Sequence, residues 1–309
     1  MVEELIGKAT DLAEHPAEKR RKTPARLDGA PETAFGSPRD FLDNRLVYLV
    51  VSARARGLSV GVNMNPDKNC NFSCVYCEVP PDGKAPEERL NVDEMAAELR
   101  NTLAFVREGR LRERPWYRAL PDEMLELRHV ALSGDGEPTL SPDFGAALQA
   151  VVHVRALCGL PFFKIVLITN GTGLDRPQVQ QGLRHFTRSD EVWAKLDGGT
   201  QAYVNKVNRP DVSLEKILSN ILMLGRQRPV VIQSLFPAIH GEEPPLEEIE
   251  HYAHRLLELK NAGAQIPLVQ IYSATRPSLN SYSGHLPLRA LSRIAHTVRQ
   301  MTGLPAEVF

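Results

Sequence analysis

Three cysteines lie within eight residues of one another, in the pattern Cys70-x3-Cys74-x2-Cys77. Three thiolates from one short loop can bind three corners of a cuboidal iron–sulfur cluster and leave the fourth iron without a protein ligand. An iron without a protein ligand is open to a small molecule and can react with it. The spacing therefore predicts a reactive 4Fe–4S cluster on this loop.

A structural zinc site is the alternative interpretation of these thiols. Such a site has four closed ligands, usually from two CxxC or CxxH pairs, and the chain has no second pair. The fourth cysteine, Cys158, ends a predicted helix, where an ordinary buried thiol is expected. The tight triplet favours the cluster over zinc, and the low cysteine count favours a reducing, cytoplasmic compartment over a secreted disulfide framework.

The cysteine loop follows the first of six predicted strand–helix units. Each unit joins a short strand that is apolar on both faces to an amphipathic helix, which is typical of a parallel sheet covered by helices. The strands are predicted at 58–64, 129–133, 164–169, 191–197, 230–236 and 268–273, and the helices at 92–108, 142–157, 176–186, 214–226, 246–261 and 288–301. An open doubly wound sheet and a curved partial barrel both agree with this pattern, and both bind ligands at the C-terminal ends of their strands.

Polar and glycine-containing segments follow the next strands and should meet the cysteine loop at one rim. They are Gly134–Thr139, Asn170-Gly171 and Gly198-Gly199. Lys195 and Asp197 occupy alternate positions of the fourth predicted strand, so both side chains can face the interior. Buried charges need partners, which are either polar groups of a bound cofactor or a salt bridge within the protein.

Five further side chains are candidates for substrate contacts because of their positions near the last strands and before the fourth predicted helix. They are Arg209, Gln233, Gln270, Tyr272 and Arg276. Both arginines precede proline, and a guanidinium fork can bind a carboxylate or a phosphate. Salt bridges between loops are the alternative role.

Composition limits the class of protein. The chain has 309 residues, 42% of them hydrophobic, and 37 basic against 38 acidic side chains give a net charge of −1. This balance provides no general attraction to nucleic acid or to anionic membranes, and no apolar run approaches the roughly 20 residues of a membrane span. Residues 1–45 are predicted to be an N-terminal extension and 46–309 the catalytic domain. The basic run Lys19–Arg26 is either a solvated turn or a nucleic-acid contact.

Taken together, these motifs resemble the radical S-adenosylmethionine (SAM) superfamily. The superfamily's pattern C-x3-C-x-aromatic-C is present as CNFSCVYC, with Tyr76 as the aromatic residue. The similarity covers about residues 54 to 280 and is strongest to single-cluster iron–sulfur oxidoreductases related to the wyosine-tRNA synthases. It continues, in the expected order, through the segments ALSGDGEPTL, LITNGTGL, VWAKLDGG, VNRP and VQIYSATRP.

The resemblance implies a fold, two cofactors and a reaction. The fold is α/β, a partial (β/α)6 TIM-like barrel with an N-terminal extension. A 4Fe–4S cluster binds the amino and carboxylate groups of SAM, and one electron cleaves SAM to methionine and a 5′-deoxyadenosyl radical. That radical abstracts hydrogen from a substrate, which the sequence does not identify. A flavodoxin- or ferredoxin-type electron donor is the expected protein partner.

Residue roles carry over only where the motifs match, and no catalytic side chain is identified. Cys70, Cys74 and Cys77 match the cluster ligands, and Tyr76 matches the aromatic residue beside the adenine. Asp135 replaces the first glycine of the family's GGEP segment, so the shape of that loop is expected to differ. The expected cofactor contacts are Tyr76, Gly134, Gly136, Glu137, Pro138, Thr169, Asn170, Lys195 and Asp197.

One departure from the related enzymes separates the remaining alternatives. Wyosine synthases carry a second cluster held by three further cysteines, and this chain has only Cys158 outside the triplet. That argues against the wyosine reaction itself. Modification of a tRNA base is the alternative enzyme reaction, although the charge balance disfavours RNA. A non-catalytic, zinc-stabilised binding protein is the alternative of another class.

Overall fold

A computed structural model describes residues 41–79, 89–274 and 280–309 of the chain. Residues 1–40, which include most of the predicted extension and its basic run, lie outside these ranges. The strands are β1 (Val47–Ser52), β2 (Gly57–Asn63), β3 (Leu127–Ser133), β4 (Lys164–Thr169), β5 (Glu191–Lys195), β6 (Val230–Leu235), β7 (Ala238–Ile239), β8 (Val269–Tyr272), β9 (Ser283–Gly284) and β10 (Ala306–Val308). The helices are α1 (Val92–Arg107), α2 (Pro115–Arg118), α3 (Asp122–Leu125), α4 (Phe144–Leu157), α5 (Pro177–Leu183), α6 (Gln201–Val207), α7 (Leu214–Gly225), α8 (Leu246–Asn261) and α9 (Leu288–Thr302).

The principal sheet contains eight strands in the order β1-β2-β3-β4-β5-β6-β8-β10. β1 is antiparallel to β2, and every other neighbouring pair is parallel. The sheet curls into a partial barrel, so the predicted fold class is confirmed. The six predicted strands are its six central members, and β7 and β9 form a separate antiparallel pair.

The two faces of the sheet differ in chemistry because side chains alternate along each strand. Apolar residues such as Leu58, Val60 and Val62 of β2 belong to the main buried core, which also contains the apolar sides of the helices. The inner face carries polar groups, among them His129 of β3 and Gln233 of β6, both buried. No helix within the described ranges is long and apolar enough to cross a membrane.

His129 should make stability depend on pH. Its ring is buried, accepts or donates one hydrogen bond with Ser59 Oγ (2.8 Å), and packs edge-on against Trp193. Burial, with the nearby charges of Lys164 and Arg54, lowers the pKa of His129 to about 3. The unfolded chain binds this proton near pH 6.5, so acid favours unfolding, and lowering the pH from 7.5 to 5 should cost about 2 kcal/mol through this one group.

Chemical denaturation at both pH values, with matched variants, measures this contribution. His129→Gln can keep a hydrogen bond to Ser59 and should lose about 2 kcal/mol of the acid-induced destabilisation. His254 is exposed on α8, so His254→Gln should retain the full pH dependence. An unchanged pH dependence in His129→Gln would show that the imidazole is not held neutral.

Candidate cofactor site at the strand ends

The loop that carries the cysteines, residues 64–79, follows β2 and is fixed by the segments on either side of it. On one side, the backbone N–H of Glu137 donates to the carbonyl of Asn69 at 2.9 Å. On the other, the backbone N–H of Val75 donates to the carbonyl of Val207 at 2.8 Å, at the end of α6. The loop is therefore held between the segments that follow β3 and β5.

Two of the three thiols accept hydrogen bonds from the protein. The backbone N–H of Phe72 donates to Cys70 Sγ at 3.5 Å, and Asn208 Nδ2 donates to Cys74 Sγ at 3.4 Å. Burial raises the pKa of the Cys74 thiol, against the lowering effect of the Lys195 ammonium and the Asn208 amide. N–H donors to sulfur stabilise a thiolate and tune iron–sulfur centres, so this donor set fits a cluster.

The predicted thiol ligands do not form a closed mononuclear centre. Cys70 is exposed, while Cys74 and Cys77 are half-buried. Among residues 41–79, 89–274 and 280–309, no group of three or more His, Cys, Asp or Glu side chains is arranged to hold a single metal ion.

The segment from Gly134 to Pro138 leaves β3 beside the cysteine loop. The backbone N–H of Asp135 donates to Asn63 Oδ1 at 3.0 Å, and Asn63 Nδ2 donates back to Asp135 Oδ2 at 2.9 Å. This reciprocal pair explains how an aspartate is accommodated at this position, for which the resemblance to the family predicted a differently shaped loop. The side chain of Asp135 is fixed against the end of β2.

Gly136 is the glycine that this packing requires. A Cβ atom at this position would lie 2.2 Å from the Asn69 carbonyl oxygen and 2.6 Å from Asn65 Cβ. Both contacts are far inside van der Waals distance, and the first is with backbone that cannot rotate away. Only glycine allows the segment to approach the cysteine loop this closely.

Gly136→Ala should therefore displace the cysteine loop and weaken SAM binding by at least about tenfold, equivalent to about 1.4 kcal/mol. Equilibrium dialysis of labelled SAM against protein reconstituted with iron and sulfide measures this effect. Gly145 of α4 is the matched control, because no atom lies within 4 Å of a Cβ built there. Gly145→Ala should bind SAM normally, and equal binding by both variants would contradict the packing argument.

Glu137 is buried and joins the ends of two strands. Its Oε1 accepts hydrogen bonds from the backbone N–H and the hydroxyl of Thr139 (3.1 and 2.6 Å) and from the hydroxyl of Thr169. Its Oε2 accepts one from the backbone N–H of Asn170 at 2.7 Å. Burial raises the pKa of the Glu137 carboxyl, and these donors counteract the effect. The side chain holds the ends of β3 and β4 together, with most of its acceptor capacity bound to protein.

Asparagines link these strand ends to the cysteine loop, and sequence reasoning predicted Asn170 but missed those of the loop itself. Asn170 Nδ2 donates to Asn71 Oδ1 at 2.8 Å, and Asn71 Nδ2 donates to Asp211 Oδ1 at 2.8 Å. The signal was the unusual density of asparagine in the stretch VNMNPDKNCN. The residues concerned are Asn63, Asn65, Asn69 and Asn71.

One buried network contains three of the predicted cofactor contacts, Tyr76, Lys195 and Asp197. The Tyr76 hydroxyl donates a short hydrogen bond to Asp197 Oδ2, and Lys195 Nζ lies 3.8 Å from the same oxygen and 4.8 Å from the Tyr76 ring centroid. Asn208 Nδ2 also donates to Asp197 Oδ2 at 2.7 Å, and the backbone N–H of Leu235 donates to Oδ1 at 2.8 Å.

The charges in this network stabilise each other. Burial alone would lower the pKa of Lys195, but the Asp197 carboxylate raises it above its usual value, so the ammonium stays charged. β5 ends at Lys195, two residues before the predicted boundary. Lys195 and Asp197 therefore pair with each other. This is the salt bridge within the protein, one of the two arrangements expected from the sequence. Asn208 was missed as a site residue, although its VNRP segment had been noted.

The substrate candidates divide by position. Gln233 and Gln270 are buried on the inner face, where Gln233 Nε2 donates to Gln270 Oε1 at 3.2 Å. Tyr272, also buried, ends β8. Arg209 is exposed and donates to the Tyr282 hydroxyl at 2.7 Å. Arg276 lies outside the described residues.

A comparison of the chain with known families gives a match that includes the cysteine loop. The family model described as the radical SAM superfamily matches residues 64–256. The chain belongs to the radical SAM superfamily. Its members are enzymes that use a 4Fe–4S cluster and SAM, so this chain is an enzyme of that class.

Two curated relatives of this radical SAM chain carry only a family designation. It is 29% identical over 184 residues to a UPF0026 protein of Helicobacter pylori strain J99, covering 57% of this chain and 51% of that protein. It is 30% identical over 179 residues to a UPF0026 protein of Synechocystis sp., covering 57% of each. The chain thus spans about half the length of the curated relatives it matches.

Solved structures share its fold at low sequence identity. A structure of TYW1 with a lysine–pyruvate adduct bound superposes with a TM-score of 0.53 and 13% identity, covering 83% of this chain and 84% of that one. Streptococcus suis SuiB bound to its precursor peptide SuiA superposes with a TM-score of 0.52 and 14% identity, covering 80% and 47%. These likenesses support the barrel fold alone.

Proposed function

We propose that this chain is a single-cluster radical SAM enzyme whose cluster is held by Cys70, Cys74 and Cys77. The observation that carries the proposal is the placement of three features at one rim of the barrel. These are thiols that accept N–H hydrogen bonds, the closely packed segment around Gly136, and the Tyr76–Asp197 network. When bound, the cluster would supply the electron that cleaves SAM and releases a 5′-deoxyadenosyl radical, which abstracts hydrogen from the substrate.

The protein's own contribution is to orient SAM. Backbone groups of Gly134 to Pro138, next to the cysteine loop, would bind the methionine end of SAM. The Tyr76 ring is held by its hydroxyl bond to Asp197, which fixes one face for the adenine. The Lys195 ammonium beside it offers a positive charge at the inner face. Fixed donors and charges need no reorganisation during the reaction.

Anaerobic reconstitution with iron and sulfide tests the proposal. We expect a brown protein with about four irons per chain, as one 4Fe–4S cluster requires, which forms 5′-deoxyadenosine from SAM when dithionite is added. Dithionite takes the place of the proposed flavodoxin- or ferredoxin-type donor. A colourless protein that binds zinc tightly and forms no 5′-deoxyadenosine would refute the proposal and favour the zinc-stabilised binding protein.

A further inference from the structure

Arg54 reaches the inner face of the barrel from an unexpected direction. It lies in the turn between β1 and β2, and its guanidinium carbon is 4.2 Å from the centroid of the Tyr272 ring at the end of β8. Its Nε atom is buried without a hydrogen-bond partner. Within the described part of the chain, no side chain forms an ion pair with Arg54 and no atom accepts a hydrogen bond from it.

The missing partner is unusual for a guanidinium that is partly withdrawn from water. A buried donor without an acceptor costs about 1–3 kcal/mol, and a charged one costs more. The neighbouring Lys195 ammonium increases this cost, because the two positive charges repel each other and the charge of Arg54 lowers the pKa of Lys195. Lys195 has Asp197 as its counterion, whereas no carboxylate of the described residues pairs with Arg54.

A role in holding the turn between β1 and β2 in place does not explain the position of Arg54. Arg56, two residues later in the same turn, pairs with Glu307 of β10 at 2.7 Å and so joins the two edge strands across the open side of the barrel. Arg56 is exposed and has its counterion, which is the usual arrangement of a structural surface arginine. Arg54 instead directs its charge to the interior, beside the predicted substrate residue Tyr272.

We propose that Arg54 binds an oxyanion of the substrate, either a carboxylate or a phosphate, on the β8 side of the barrel. The planar guanidinium can donate two parallel hydrogen bonds to either group. The cysteine loop and the segment around Gly136 follow β2 and β3, so the methionine end of SAM belongs there rather than beside Tyr272. The assignment rests on the proposed function in that it takes the barrel interior as the substrate site.

Anion binding to the cluster-reconstituted protein tests this assignment. The probes are inorganic phosphate and acetate, each compared with chloride at equal ionic strength, and the measurement is the anaerobic thermal midpoint with and without SAM. At least one probe should raise the midpoint of the wild type saturably, since a ligand that binds only the folded state stabilises it. A response to phosphate alone would indicate a phosphate ester substrate, and a response to acetate alone a carboxylate.

Two variants of the same turn separate a binding role from a structural one. Arg54→Met should weaken binding of the probe by at least tenfold, and without the probe it should be at least as stable as the wild type. Arg56→Met removes the same charge from the same turn and should bind the probe normally. Equal probe binding by both variants, or no saturable response in the wild type, would overturn the proposal.

Adding SAM shows whether Arg54 binds an oxyanion of the substrate or the carboxylate of SAM itself. Probe and SAM should bind independently, whereas mutual exclusion would assign Arg54 to the carboxylate of SAM and refute a substrate role. Failure of the proposed function is visible separately, as wild-type protein that binds the probe but forms no 5′-deoxyadenosine with dithionite.

Discussion

Replacement of Cys74 by alanine should leave the reconstituted protein with almost none of its iron and with no detectable 5′-deoxyadenosine. Two thiolates cannot hold a cluster that normally has three protein ligands on a single loop. Cys74 is also the thiol that ties this loop to the opposite side of the site, through its hydrogen bond from Asn208. Iron and sulfide analysis, the visible absorption of the cluster and product chromatography measure the effect.

Cys158 is the matched control for this substitution. Its thiol donates to the Arg155 carbonyl at 3.2 Å, at the end of α4, and it is half-buried like Cys74. Cys158→Ala should therefore retain both the cluster and the formation of 5′-deoxyadenosine. Iron retained by Cys74→Ala, or lost from Cys158→Ala, would show that the cluster is bound by a different set of thiols.

Most of the sheet could be predicted because buried parallel strands are apolar on both faces and alternate with helices. That alternation identifies the six central strands and misses the two edges. β1 has alternating buried and half-buried residues and precedes another strand, and β10 has only three residues. Neither belongs to a strand–helix unit, so periodicity gave no signal for them. The helix α6 is a short insertion after β5, and it was not predicted for a similar reason.

The site was predictable where its signal is local. Cysteine spacing is a property of eight consecutive residues, so the candidate ligands could be named from the sequence. The partner of a buried charge is a property of the fold, because Tyr76 and Asp197 are 121 residues apart in the chain and meet only when the loop after β2 reaches the end of β5. For the same reason, nothing in the sequence separated Arg54, which forms no ion pair within the described part of the chain, from Arg56, which pairs with Glu307.

Asp197→Asn should destabilise the folded protein by about 3–5 kcal/mol, because it leaves the buried Lys195 ammonium without its counterion. The asparagine amide cannot satisfy the site in either orientation. One orientation turns its NH2 group toward the Asn208 NH2 group and the Lys195 ammonium, and the other turns it toward the backbone N–H of Leu235. Each places donor against donor. Denaturant unfolding before reconstitution measures the loss of stability.

Two comparisons show whether the buried charge causes this loss. Asp122 forms its ion pair with Arg112 at the surface and is almost fully exposed, so Asp122→Asn should cost no more than about 1 kcal/mol. The double variant Lys195→Met with Asp197→Asn removes both charges and should recover part of the stability lost by Asp197→Asn alone. If the double variant were as destabilised as the sum of Asp197→Asn and Lys195→Met measured singly, the hydrogen bonds of Asp197 rather than its charge would account for the lost stability.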